Sequence, residues 1–179
     1  MPEIDHAEAC ADLLGRWLRT FGPATMTDLR WWTGWTAKLS ATTLGAVGAV
    51  EVALDGGAGF VLPDDLGAVD DADPLVALLP GLDPTVMGWK DRAWYLGDHA
   101  SELFDRNGNA GPTIWANGRV VGAWAQTEQG EVVVELFGRL DAATRKLVDA
   151  ERERLRSWLG DVRIRPRFGT PLGKELSTR

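Results

Sequence analysis

Residues 79–97 read LPGLDPTVMGWKDRAWYLG and gather Trp89, Trp94, Tyr95, Lys90 and Arg92 among three turn-forming glycines. Aromatic faces beside cations suit either a working surface or a packed corner from which the charges project. The nearby acids Asp83, Asp91, Asp98 and Asp105 are side chains able to move protons, with His99 beside Asp98 as a general-base candidate. Their contexts read as structural. Asp83-Pro84 starts a turn, and Asp91-Arg92 suits a local ion pair. Gln126 and Gln129 read as polar residues at a hairpin end, so no catalytic residue is assigned.

Other chemistries lack their residues. There is no Gly-x-Gly-x-x-Gly after a strand, no phosphate-binding P-loop and no Gly-x-Ser-x-Gly elbow. A single cysteine, Cys10, rules out an internal disulfide, and two distant histidines, His6 and His99, assemble no zinc spacing. Neither a metal nor a cofactor is expected.

The composition, 45% hydrophobic and 25% charged over 179 residues, gives room for one domain or two small ones. The net charge of -7 is unevenly placed: residues 1–80 hold 4 Lys or Arg against 12 Asp or Glu, and residues 81–179 hold 15 against 14. No run of 18 apolar residues occurs, and the opening MPEIDHAEACADLL has acids where a leader would carry bases. A cytoplasmic protein without a membrane partner is the expectation.

The elements follow from periodicity. Asp5 caps HAEACADLLGRWLRTF, in which Ala9, Leu13, Leu14, Trp17, Leu18 and Phe21 share one helical face. Gly22-Pro23 stops it, and Thr25 with Asp28 forms a capping box for TMTDLRWWTG. A third helix starts near Thr36, with Leu39, Thr43 and Leu44 inward. Then AVEVAL and GFVLP flank the turn DGGAG as a hairpin. Three helices plus a hairpin is the order of a winged helix, whose third helix enters a DNA groove, though any small α+β domain also fits. This half is acidic and its third helix carries one cation, Lys38, which is little for neutralising phosphates. Trp31 and Trp32 are consecutive, so at least one is expected to be partly exposed or packed on the second half.

Five acids between Pro63 and Pro74 mark residues 64–74 as an acidic linker, dividing a winged-helix domain (1–63) from a β-rich domain (75–179). In the latter, PLVALLPG suits a buried strand and Asn117-Gly118 a type I′ hairpin turn, with a second turn at TEQG leading into EVVVELF. With the segments around VMGW and WYLG as further strands, a small β-barrel or curved antiparallel sheet is predicted. The C-terminal helix, capped by Asp141, covers one end through Leu147, Val148, Leu155, Trp158 and Leu159. The fold class is thus α+β. The tail VRIRPRFGTPLGKELSTR suggests an edge strand carrying Arg163, Arg165 and Arg167, followed by Lys174 and Arg179; its cations either lie along phosphates or discourage edge pairing.

The segments RTFGPATMTDLRWWTG, LLPGLDPTVMGWKDR, LFDRNGNAGPTIWANGRVVGAW and RPRFGTPL together resemble the winged-helix AlkZ/YcaQ class of bacterial DNA glycosylases, which act on alkylated bases and cross-links. The resemblance implies winged-helix units followed by a β-barrel around duplex DNA. Family members are about twice this length, and the resemblance places their catalytic Gln-x-Gln in an N-terminal part that this sequence lacks. No Gln-x-Gln occurs here. The expectation is therefore a C-terminal, DNA-engaging portion without glycosylase activity of its own, binding double-stranded DNA as part of a longer protein.

The DNA-contacting candidates are Thr36, Lys38, Ser40 and Thr42 on the third helix, Lys90 and Arg92, Arg106, Asn107 and Asn109 in DRNGNAG, and Arg119 in the hairpin. Residues 79–97 and DRNGNAG are expected on one DNA-facing surface. The rival is a non-catalytic module that sequesters a small molecule or binds a protein; a transcription factor is disfavoured for want of a sensor or dimerisation signature. An enclosed pocket of about 300 Å3 or more lined by Trp89, Trp94, Tyr95, Trp115 and Trp124 would favour ligand binding; a solid aromatic core would favour DNA.

Overall fold

The computed structural model describes residues 5–67, 72–164 and 166–179. The chain divides into two units, Met1–Asp70 with Gly88–Asp91, and Asp71–Met87 with Arg92–Arg179. Part of the acidic stretch, residues 68–71, lies outside the described residues, as does Arg165.

In the first unit α1 (His6–Phe21), α2 (Met26–Thr33) and α3 (Ala37–Ala46) precede an antiparallel hairpin of β1 (Val50–Leu54) and β2 (Gly57–Val61). The caps are those the sequence specifies: Asp5 accepts from the amides of Ala7 and Glu8, Thr25 and Asp28 close a capping box, and Thr36 accepts from Leu39. Gly34 ends α2 with φ 71°, a conformation that costs glycine nothing. The hairpin turn is tighter than predicted. Leu54 pairs with Gly57, leaving Asp55-Gly56 as the turn and drawing the rest of the glycine run into β2. Ala24 and Phe60 exchange backbone hydrogen bonds of 2.8 and 3.2 Å, pinning the chain between α1 and α2 to β2.

The core of this unit is Leu14, Trp17, Leu18, Phe21, Leu29, Leu44 and Leu62, with Trp35, Phe60 and Trp89 against it. Two positions of the predicted α1 face differ: Ala9 and Leu13 are exposed and Cys10 is buried, so the stripe is rotated toward the cysteine. Trp31 and Trp32 are 40% and 41% exposed, and the Trp32 ring lies 5.9 Å from that of Trp17. Trp89, expected in the β-rich half, belongs here: its Nε1 donates to the carbonyl of Phe21 at 3.0 Å and its ring meets Phe21 edge-on at 5.3 Å.

The second unit begins with β3 (Val76–Leu79). Three single helical turns follow, α4 (Pro84–Met87), α5 (Ala93–Leu96) and α6 (Ala100–Leu103). Next come β4 (Thr113–Ala116), β5 (Arg119–Gln126), β6 (Val132–Leu136), α7 (Ala142–Leu159) and α8 (Pro171–Ser177). The four strands form an open antiparallel sheet in the order β3-β4-β5-β6, so the predicted barrel is not closed among the described residues. The reason is local: the VMGW and WYLG segments, read as strands, contain the helical turns α4 and α5, followed by Gly88 and Gly97. Asn117 and Gly118 have φ 47° and 81°, the type I′ pair the sequence announces.

Helix α7 packs on β3 and β6, whereas α5 and α8 pack on β5. This leaves β5 buried at both alternations of its side chains. A bulge at Val121 bends β5, since Ile114 pairs with Gly122 but Trp115 with Val120. Along α7 the inward side chains are Thr144, Val148, Leu155 and Leu159; Trp158, predicted inward, is 77% exposed because it lies about 100° around the helix from Leu159. Residues 162–164 and 166–168 take no strand. Instead Gln126 acts as a ladder rung for the tail, its amide donating to the carbonyl of Val162 and accepting from the N–H of Ile164, at 3.0 and 2.8 Å. Helix α8, which periodicity did not announce, starts on a Thr170 cap followed by Pro171.

Candidate nucleic-acid interface

The residues of DRNGNAG form a closed loop. Phe104 and Ala110 bridge its base, and the Asp105 carboxylate gathers its interior, accepting from the amides of Asn107 and Asn109 at 2.8 and 2.9 Å and from Asn109 Nδ2 at 2.8 Å. These donors hold Asp105 below its ordinary range, the Asn109 side chain most strongly and then the Asn109 backbone N–H; desolvation opposes them, and the Asn107 N–H and the charge of Arg106 each lower it by less than desolvation raises it. Gly108, with φ 82°, permits the turn. Asn109 thus spends its amide within the loop and serves as scaffold, whereas Arg106 and Asn107 are exposed at the tip.

A groove of about 460 Å3 runs beside this loop, lined by Asp105, Arg106 and Asn107 on one side and by Arg167, Phe168 and Lys174 of the tail on the other. Sequence reasoning singled out both groups but did not join them, since some sixty residues separate Arg106 from Arg167. Of the remaining tail cations, Arg163 is folded onto the carbonyls of Glu128, Gln129, Gly160 and Val162. Arg179 is paired with Glu135 and Glu175 at 2.7 Å each. Both are thereby occupied.

Arg92 is half-buried with its guanidinium 4.6 Å from the centre of the Phe104 ring, at the base of the same loop. Arg119 donates from Nη1 to the carbonyl of Trp94 at 3.1 Å. In the first unit, Lys38 and Thr42 are exposed on α3, while the Thr36 hydroxyl is engaged as the cap. Lys90 has an exposed side chain and an anchored backbone. Ser40 leaves the set. It is 0% exposed, and its hydroxyl has no partner among the described residues, because residue 40 lies on the inward face of α3 with Thr43 and Leu44.

The five aromatics that were to decide between pocket and core are dispersed. Trp89 packs against the first core, the buried Tyr95 meets the rings of the exposed Trp94 and of Trp115 at 4.8 and 5.4 Å, and Trp124 borders an open cleft while donating to the carbonyl of Leu79. Of the four in the second unit, only Trp124 lines either cleft beside the tail. His99 stacks on Phe137 at 3.7 Å and pairs with Glu102, leaving it a packing role. Among the described residues no group of His, Cys, Asp or Glu is arranged to hold a metal, and no helix is long and apolar enough to cross a membrane.

Fold and site together define a mixed α+β protein of antiparallel sheets with a cation-rimmed groove on its second unit. The chain belongs to the AlkZ-like DNA glycosylase family, whose model matches residues 1–158. It is similar to the interstrand DNA cross-link repair glycosylase of Streptomyces sahachiroi, 29% identical over 164 residues that cover 84% of this chain and 42% of that protein. The solved structure of Streptomyces sahachiroi DNA glycosylase AlkZ superposes with a TM-score of 0.69 at 26% identity, over 88% of this chain and 45% of that one. The chain therefore spans less than half the length of either relative.

Proposed function

We propose that this chain is the DNA-engaging portion of an AlkZ-like glycosylase, holding double-stranded DNA that carries alkylated or cross-linked bases. The observation that carries the reading is the convergence of Arg106, Asn107, Arg167 and Lys174 on one groove of a protein with net charge -7. Cations concentrated against the sign of the whole chain are what phosphate binding requires. On this reading the first unit works as a winged helix, with Lys38 and Thr42 of α3 toward a DNA groove and the β1–β2 hairpin along the adjoining backbone. Lys90, Arg92 and Arg119 add positioning contacts.

The sequence contains no Gln-x-Gln, so base removal is assigned to residues outside it. Cross-link repair, named for the Streptomyces relative, is carried over here as a substrate class only. The site of action is the cytoplasm.

Fluorescence anisotropy with a labelled duplex at 50 and 200 mM salt tests the reading. Binding at low salt with a steep salt dependence is expected, and Arg106→Ala with Lys174→Ala should flatten the logarithmic slope by about 2, roughly 0.9 for each phosphate that is no longer neutralised. No binding at low salt, or an unchanged slope in the double variant, overturns it.

A further inference from the structure

We propose that the cleft walled by Trp124 binds a small molecule joining a flat apolar ring to an anionic group, an aryl carboxylate being the simplest case. The cleft has a volume of about 390 Å3 and is walled by Trp124, Pro112, Ile164 and Phe168. Ligand sites begin near 300 Å3 and are predominantly apolar with a few fixed polar groups. A second cleft of about 230 Å3 shares Trp124, Ile164 and Phe168, so the same apolar side chains are open on two sides. Ile164 and Phe168 remain 38% and 36% exposed, leaving apolar surface that a ring would cover.

The polar side chains at the rim are committed elsewhere. Gln126 holds the backbone of Val162 and Ile164, Thr170 caps α8, and the Ser177 hydroxyl donates to the carbonyl of Lys174. What remains is Arg167 and Lys174. Among the described residues neither makes an ion pair, and no carboxylate lines either cleft. A wall of apolar groups with two cations that have no carboxylate partner, Arg167 lying 6.0 Å from the centre of the Phe168 ring, selects a ring bearing an anion, because a neutral ring forgoes the charge-assisted hydrogen bonds and a small anion forgoes the apolar contact.

This site is separable from the DNA groove although Arg167 and Lys174 border both, since Trp124 and Pro112 line the cleft alone and Arg106 lines the groove alone. Isothermal titration of the protein with 2-naphthoate, and with neutral 2-naphthalenemethanol as its counterpart, tests the proposal. Naphthoate should bind one to one and at least about tenfold more tightly than the alcohol, as one charge-assisted bond allows. The double variant Arg167→Gln, Lys174→Gln, checked for intact fold by circular dichroism, should bring naphthoate to the affinity of the alcohol. Arg106→Gln should leave naphthoate binding unchanged while weakening duplex binding, so that failure of the cleft and failure of the DNA reading give different results. A 5′-mononucleotide titrated in parallel tells a nucleotide from a free aryl acid as the source of the anion, the tighter of the two naming it. Absence of naphthoate binding, equal affinity for naphthoate and the alcohol, or naphthoate binding untouched by the double variant overturns the proposal.

Discussion

Asp28 holds the backbone of Lys90: its Oδ1 accepts the Lys90 N–H at 2.8 Å and that of Asp91 at 3.2 Å, while its Oδ2 accepts from the N–H and hydroxyl of Thr25. One carboxylate, 3% exposed, therefore closes the capping box of α2 and anchors residues 88–91 in the first unit. A buried charge is tolerated only when so surrounded. Asp28→Ala should cost about 2–4 kcal/mol, the sum of a lost cap near 1 kcal/mol and two backbone donors left without a partner. Urea denaturation measures it, and a loss under about 1 kcal/mol would show that water replaces the carboxylate.

Ser40 makes the opposite case. Its hydroxyl is fully buried without a partner among the described residues, so it carries a desolvation cost that no hydrogen bond repays. Ser40→Ala should be neutral or stabilising by up to about 1 kcal/mol and should leave DNA binding unchanged. A lower Tm or a weaker complex would mean that the hydroxyl has a partner or touches the duplex.

Much of the first unit is written in local signals, and local signals survive folding. Asp5, Thr25 with Asp28, and Thr36 mark three helix starts because a cap needs only residues within one turn, and Asn117-Gly118 marks a hairpin because few residues accept φ above zero twice. Where the reading failed, the deciding interaction was distant or the period ambiguous. Segments such as VMGW and WYLG have strand-like composition but are too short to show a period, and they became α4 and α5; the barrel depended on counting them as strands. Ser40 falls inside the inward face of α3 and Trp158 one helical step outside that of α7, the reverse of what spacing suggests, because spacing alone fixes the edge of a face poorly when small or polar residues share it. In the candidate site, Arg106 and Asn107 stand out by their loop, whereas their grouping with Arg167 and Lys174 depends on tertiary packing of α8 on α6.

The Asp105 loop supplies a dependence on pH. Its carboxylate is held below the ordinary value of 3.8, chiefly by the Asn109 side chain, so its contribution to loop order is present above that value and is lost as pH falls below it. Amide exchange at Asn107 and Asn109 should be slow at neutral pH, after correction for intrinsic rates, and lose protection below about pH 3.8. Asp105→Ala should show that loss at pH 7 and weaken duplex binding although it removes a negative charge. Tighter binding in the variant would mean that charge outweighs loop geometry here.

Gly122 sits beside the Val121 bulge, where a Cβ would run into the carbonyl of Glu135 on β6. Backbone cannot yield as a flexible side chain can, so Gly122→Val must separate β5 from β6 or rotate the strand. A loss of about 2–3 kcal/mol is expected, in the range of overpacked cores. Tolerance of valine would show that the bulge relaxes.

Gln126 separates positioning from charge. Its amide donates to the carbonyls of Gly130 and Val162 and accepts from the N–H of Ile164, fixing the tail three residues before Arg167. Gln126→Leu keeps the volume and every charge but leaves two of those tail backbone groups to find water, at a cost of about 1–3 kcal/mol. Were Arg167 to act only through its charge, the variant would bind duplex as the parent does with the same salt slope. If the groove needs Arg167 held opposite Arg106, affinity should fall about 3- to 10-fold, the equivalent of about 0.7–1.4 kcal/mol, with the slope nearly unchanged. Limited proteolysis provides the structural control: earlier cleavage within residues 162–170 of the variant should accompany the weaker binding. Weaker binding with unchanged proteolysis would place the effect elsewhere than in the tail.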